Sequence, residues 1–241
     1  MKPIYEPSGR AKEYGELACN IYTECNHGCT YCFARKMAKR FGKPWTGDVQ
    51  PRTGIVEATK RQIDREQITG KLIHLCFTCD PYPAEIDTTA TREVIKAIKA
   101  AGNNVQILTK GGIRAMRDFD LLGVGDWFGV SISGFPSTLD VEEPNAASYD
   151  DRLEVLEAAT CTDARTWISC EPVLDCDEIY WLIENVAYAD MFKIGKLNYE
   201  KSAVDWPAFG FKCVKLCNDY MRTYYIKDDL WKLMEVQREE M

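Results

Sequence analysis

Strand-like and helix-like segments alternate along this chain, and that alternation restricts the fold more than any other feature. Leu17 to Tyr22, Leu72 to Phe77, Asn104 to Leu108, Trp127 to Ile132, Thr166 to Ser169 and Met191 to Ile194 read as strands. Between them Thr53 to Ile68, Thr88 to Ala101, Ile113 to Leu122, Tyr149 to Ala159 and Ile179 to Val186 read as helices. The clearest is Thr88 to Ala101, where Val94, Ile95, Ile98 and Ala101 form one apolar stripe and Gly102 ends it. Six strands with helices between them predict a parallel α/β domain. They are too few for a complete eight-stranded barrel and suit a partial barrel or a doubly wound sheet. In both architectures ligands gather at the carboxyl ends of the strands.

No repeat, low-complexity stretch or Pro/Gly/Ser linker divides the 241 residues. One domain spanning 1–241 is expected, with a core of about 17–200 and an extension of about 201–241 packing on it. Within the extension, Asp228 to Met241 carries Leu230, Trp231, Leu233, Met234 and Val236 among charges and reads as an amphipathic helix. A hydrophobic content of 46% excludes a disordered chain. The longest apolar runs fall far short of the ~20 residues that a membrane span needs. No apolar stretch follows Lys2 to suggest a signal peptide, so a cytoplasmic protein without a membrane partner is expected. With 37 acidic against 30 basic residues the net charge is −7, which argues against a generally basic nucleic-acid surface. A local basic groove stays open, although no basic hairpin or aromatic–basic interleaving stands out.

The unusual residues cluster where this fold puts ligands. A cysteine loop follows the first strand, Thr78-Cys79-Asp80-Pro81-Tyr82-Pro83 the second, and Thr109-Lys110-Gly111-Gly112 the third. Ser131-Ile132-Ser133-Gly134 closes the fourth strand, Cys170-Glu171-Pro172 follows the fifth, and Lys193-Ile194-Gly195-Lys196-Leu197-Asn198 closes the sixth. Of eleven cysteines, Cys25, Cys29 and Cys32 form a C-x3-C-x2-C loop. Without an export signal, metal or redox chemistry is favoured over disulfides. A four-iron cluster needs one ligand per iron, so three thiolates leave one iron open for a small chelating ligand. Gly28 permits the left-handed turn that such wrapping uses. The competing reading is a zinc knuckle with His27 or Cys19 as fourth ligand. His27 otherwise reads as a solvated loop residue, Glu171 as a capping, solvated or catalytic one. Gly111-Gly112 suggests close approach of Lys110 to a ligand. Cys213 and Cys217 read as buried packing residues rather than anchors of a second cluster.

The loop Cys25-x3-Cys29-x2-Cys32, with Tyr31 before the last cysteine and Phe33-Ala34 after it, resembles the signature of the radical S-adenosylmethionine superfamily. Asp80-Pro81-Tyr82, Thr109-Lys110, Arg117-Asp118, Ser131-Ile132-Ser133, and Glu143-Pro144 with Arg152 resemble the branch that contains spore photoproduct lyase. These matches run from about Leu17 to Pro172. The resemblance implies a partial (β/α)6 TIM-type barrel with a [4Fe-4S] cluster on Cys25, Cys29 and Cys32. It also implies reductive cleavage of S-adenosylmethionine to a 5′-deoxyadenosyl radical that abstracts hydrogen from a substrate. Tyr31, Cys79, Asp80, Lys110, Ser131, Ser133 and Lys193 are then the expected cofactor contacts. A reductant such as flavodoxin or ferredoxin is implied, and DNA or a nucleotide is one candidate substrate beside a small molecule or peptide. A non-radical iron–sulfur protein is the alternative from another class. Cys79 and Cys76 are candidate catalytic residues that return hydrogen to a product radical. Here the sequence departs from the branch: Phe77 stands at the hydrogen-donor position and Cys79 at that of a cofactor-contacting serine.

Overall fold

The computed structural model describes residues 2–198 and 200–240. Eight strands form one sheet in chain order: β1 (Ile4–Tyr5), β2 (Leu17–Cys19), β3 (Leu72–Leu75), β4 (Asn104–Thr109), β5 (Trp127–Ser131), β6 (Arg165–Cys170), β7 (Met191–Ile194) and β8 (Tyr224–Ile226). β1 runs antiparallel to β2, and every later neighbour is parallel. The helices are α1 (Phe33–Arg40), α2 (Ile55–Glu66), α3 (Thr89–Ala100) and α4 (Pro136–Glu142). They are followed by α5 (Tyr149–Ala159), α6 (Cys176–Asn185), α7 (Trp206–Asp219) and α8 (Asp228–Glu240). A doubly wound sheet reverses its strand order partway; this one never does, which makes it a TIM-type partial barrel.

The six expected strands are β2 to β7. The helix expected over Ile113 to Leu122 is a 3-10 helix, Gly112–Leu121. The segment after residue 200 does more than pack on the core, because β8 lengthens the sheet beside β7. α8 buries Leu230 and Met234, and Met241 of the expected C-terminal helix lies outside the described residues.

Side chains alternate along each strand, and the two faces differ in chemistry. Ile73, Leu75, Val105, Ile107, Phe128, Val130, Ile168, Phe192 and Ile194 are fully buried apolar residues of one core. Burial of each large one contributes about 1.5–3 kcal/mol. The alternate positions carry polar groups toward the barrel interior. Register sets Ser131 beside Ser169, Ser169 beside Lys193 and Lys193 beside Tyr225. His74 pairs with Gln106 in the same way, and their side chains hydrogen-bond at 2.8 Å.

Tyr14, just after the 3-10 helix Gly9–Glu13, plugs that interior. Its ring lies 5.6 Å from His74, 5.8 Å from Phe77 and 5.9 Å from Trp167. Glu13 ties the same segment to the far edge of the sheet, accepting from Asp228 N at 2.9 Å and Tyr225 OH at 3.3 Å.

Candidate cofactor-binding active site

The cysteine loop is held by its neighbours rather than by regular structure. Asn20, just past β2, accepts through Oδ1 from Phe77 N and Thr78 N at 2.8 and 3.0 Å. Asn26 and Ala84 exchange two hydrogen bonds, and Asn145 N donates to the His27 carbonyl. Gly28 has φ +74°, a left-handed conformation that favours glycine, and a Cβ there would lie a tight 3.2 Å from Pro144 Cγ. The loop ends where Cys32 opens α1.

Cys25, Cys29 and Cys32 are half-buried free cysteines, and all three line one cavity of about 420 Å³. Burial and the Asp80 carboxylate push the Cys25 thiol far up. Burial pushes Cys29 up to about 11, against the pull of Lys110. Ligation by iron must therefore displace bound protons. Among the described residues no three His, Cys, Asp or Glu side chains gather as ligands of a single ion. The solvated reading of His27 is corrected: it is 1% exposed, with Nδ1 3.6 Å from the Asp80 carboxylate and Nε2 3.4 Å from Arg114. Burial lowers its pKa. Cys19 is buried on β2 beside Thr59 and Cys79. Cys19 is thus a packing residue of β2, while His27 lines the cavity between Asp80 and Arg114.

Lys110, Tyr31, Cys79, Asp80 and Ser131 line the same cavity. The Lys110 ammonium sits 5.6 Å from the Tyr31 ring centroid. Burial pulls its pKa down, but Glu143 and Cys29 outweigh that and hold it above the ordinary lysine value. The Tyr31 hydroxyl donates to Glu143 and lies 3.4 Å from Ser133 Oγ. Arg152 secures Glu143 by an ion pair and donates to the Ser131 carbonyl at 3.0 Å. Asp80 has its carboxylate engaged by the protein, accepting from Thr109 Oγ1, Tyr82 N and Lys110 N at 2.6–2.9 Å. It braces the strand-end loops.

Two expected contacts lie elsewhere. Ser133 is fully buried off the cavity wall and reaches it only through Tyr31. Lys193 lies below the Tyr14 plug: it donates to the Glu13 carbonyl at 3.1 Å, and its Nζ is 4.8 Å from the Tyr14 ring and 5.1 Å from Trp167. Burial and neighbouring Lys227 push its pKa down to about 8. The reading of Gly111-Gly112 as a ligand approach is also corrected. A Cβ at Gly111 would stand 2.6 Å from Tyr82 Cβ and one at Gly112 2.5 Å from Ala147 Cβ, so protein fills that space.

Cys76 and Cys79 both border the cavity. β3 ends at Leu75, so strand alternation does not separate Cys76 from Phe77, and Phe77 lines the cavity too. Cys76 adopts φ +67°, a conformation that costs a non-glycine residue of order 1–3 kcal/mol. Its thiol faces Cys79, and burial raises it well above the ordinary value.

A second polar group of residues lines the cavity around Glu171. Glu171, half-buried rather than solvated, accepts from Tyr14 OH at 3.0 Å, from Asn198 Nδ2 at 3.0 Å and from Lys227. Tyr14, Glu171, Asn198 and Lys227 all line the cavity. Asn198 Oδ1 and, beside Cys79, Thr78 Oγ1 are buried at the cavity without a hydrogen-bond partner among the described residues. Such groups are costly unless a ligand satisfies them. The signal was the polar, out-of-pattern character of these strand-end residues. Cys170, Cys213 and Cys217 are buried together away from the cavity, as expected of packing residues.

A model of the radical SAM superfamily matches residues 19–161, more than half of the chain. The chain belongs to the radical SAM superfamily. An uncharacterized protein of Methanocaldococcus jannaschii is 27% identical over 191 residues, covering 76% of this chain and 71% of that protein. Among solved structures, a spore photoproduct lyase variant with bound AdoMet and dinucleoside spore photoproduct superposes with TM-score 0.68 and 14% identity. It covers 92% of this chain and 78% of that one. Streptococcus suis SuiB bound to precursor peptide SuiA gives TM-score 0.65 and 12% identity over 94% of this chain and 53% of its own. At these identities the structural likeness concerns the fold. Membership implies S-adenosylmethionine and an iron–sulfur cluster, and the donor set fits both. Three thiols on one wall face a cavity that also holds a lysine cation and two unsatisfied polar oxygens. Among the described residues no helix is long and apolar enough to cross a membrane.

Proposed function

We propose that this chain, taken as one domain, is a cytoplasmic radical SAM enzyme with a [4Fe-4S] cluster on Cys25, Cys29 and Cys32 and a nucleobase-bearing substrate. The observation that carries the reading is the meeting of three half-buried thiols with Lys110 in one cavity. When bound, the cluster and S-adenosylmethionine supply a 5′-deoxyadenosyl radical that removes a hydrogen atom from the substrate. The protein's own part is binding, orientation and exclusion of water. Lys110 stays protonated and holds the cofactor carboxylate by a charge-assisted hydrogen bond. Tyr31 and Ser131 fix the same end, and Arg152 and Glu143 hold Tyr31 and the strand end in place.

Asn198 Oδ1 beside Glu171 and Thr78 Oγ1 beside Cys79 offer hydrogen bonds to a substrate that carries N–H or O–H groups, as nucleobases do. The bound dinucleoside of the lyase neighbour supports this class. The precursor peptide on SuiB supports the second reading, a peptide or small-molecule substrate. Cys79 is the proposed hydrogen-returning group: Cys79→Ala should keep cofactor cleavage but alter the fate of the substrate radical. A protein such as flavodoxin or ferredoxin supplies the electron. The direct test is release of 5′-deoxyadenosine by anaerobically reconstituted protein with dithionite and S-adenosylmethionine. Loaded, reduced protein that leaves the cofactor intact would favour a non-radical iron–sulfur protein.

A further inference from the structure

The fifteen residues from Phe33 to Gly47 carry five cations and no carboxylate, in a chain whose net charge is −7. That local reversal of sign is not consumed within the protein. Lys36 pairs with Glu200, and Arg35 donates to the Thr30 carbonyl. Among the described residues no ion pair engages Lys39, Arg40 or Lys43, and all three are exposed. The aromatic–basic interleaving not evident in the sequence pattern is present here. Phe33, Met37 and Phe41 recur at four-residue spacing along α1 and beyond its end, exposed at 41%, 46% and 68%. Just past α1, Arg35, Lys39 and Lys43 surround Trp45 in a shallow open cleft. The strip also runs into the catalytic cavity, because Phe33 and Met37 line its rim.

We infer that α1 and the loop to Trp45 form a docking strip for single-stranded nucleic acid. The phosphates lie on Lys39, Arg40 and Lys43, and a base stacks in the Trp45 cleft. A cationic track with an aromatic platform binds single strands in this way, with little sequence preference. α1 is about 12 Å long, enough for a few nucleotides. The strip would lead a neighbouring nucleotide over the Phe33–Met37 rim into the cavity. A convex anionic surface such as a membrane would use the exposed apolar residues but leave the Trp45 cleft unexplained. The inference rests on the proposed nucleobase-bearing substrate and adds to it the surface that holds the rest of the polymer.

The test is fluorescence anisotropy of labelled oligothymidine with the cluster-loaded protein, from about 50 to 200 mM KCl. Three neutralised phosphates give a slope of log K against log salt of about −2, or roughly fifteen-fold weaker binding across that range. Lys39→Glu/Arg40→Glu/Lys43→Glu should bring the slope close to zero, while Trp45→Leu should lower affinity about ten-fold at unchanged slope. Circular dichroism checks that both variants are folded. No binding by the wild type at the lowest salt, or equal binding by the triple variant, overturns the inference. So does a protein that ignores oligothymidine but binds phosphatidylserine vesicles through the same three cations. Release of 5′-deoxyadenosine by the wild type without substrate tests the radical chemistry separately, so the two failures are distinguishable.

Discussion

Arg152 and Glu143 form an ion pair almost wholly withdrawn from water, their side chains 1% and 0% exposed. Arg152 also donates to the carbonyls of Ala147 and Ser131, while Glu143 receives the Tyr31 hydroxyl. One pair thus connects α5, the end of β5 and the cysteine loop. Removing one member of such a pair strands the other charge in a medium that solvates it poorly. Arg152→Ala should lower unfolding stability by about 3–5 kcal/mol in urea titration. A loss below about 1 kcal/mol would show that the pair does not hold the site together.

His74 gives the apoprotein a pH dependence. Burial pushes its pKa down to about 4, from an ordinary value of 6.5. Between those values the unfolded chain binds more protons than the folded one, so stability rises with pH through this window. The contribution is complete above about 6.5 and is lost as pH falls toward 4, about 3 kcal/mol in all. His74→Gln should flatten the stability profile between pH 4 and 6.5 in urea unfolding, and an unchanged slope would assign the dependence to other groups.

Lys110→Ala should weaken S-adenosylmethionine binding by about 1.5–3 kcal/mol, the worth of one charge-assisted hydrogen bond. Equilibrium dialysis against the cluster-loaded protein reads this directly. Equal affinity would place the ammonium outside cofactor contact despite its position over Tyr31.

Anaerobic reconstitution should give about four irons and four sulfides per chain. Cys25→Ala, Cys29→Ala and Cys32→Ala should each lose the cluster, while Cys213→Ala should keep it. About eight irons would make the buried C-terminal cysteines ligands of a second cluster.

The barrel was legible because β2 to β7 are separated by helices with apolar stripes long enough to reveal their period. β1 and β8 were not, since Ile4–Tyr5 and Tyr224–Ile226 are too short to show alternation. The cysteine loop and Lys110 were legible from residue type and position at strand ends. Lys193 misled because a strand-end lysine looks the same whether it reaches the cavity or a plug beneath it. Only tertiary structure brings in Tyr14, which comes from far away in sequence and occupies the space between. Glu171, Asn198 and Lys227 likewise become a wall only once β6, β7 and β8 stand side by side. The cations of α1 gain a context only from tertiary structure, which brings Phe33 and Met37 of the same helix to the cavity.

The most direct test of the account is the electron paramagnetic resonance spectrum of the reduced, cluster-loaded protein, recorded with and without S-adenosylmethionine. If three cysteines leave one iron open and the cofactor chelates it, the signal of the reduced cluster should change its g-values when S-adenosylmethionine is added, and Cys29→Ala should show no cluster signal. An identical spectrum with and without saturating cofactor would contradict the central claim that this cavity joins S-adenosylmethionine to the iron held by Cys25, Cys29 and Cys32.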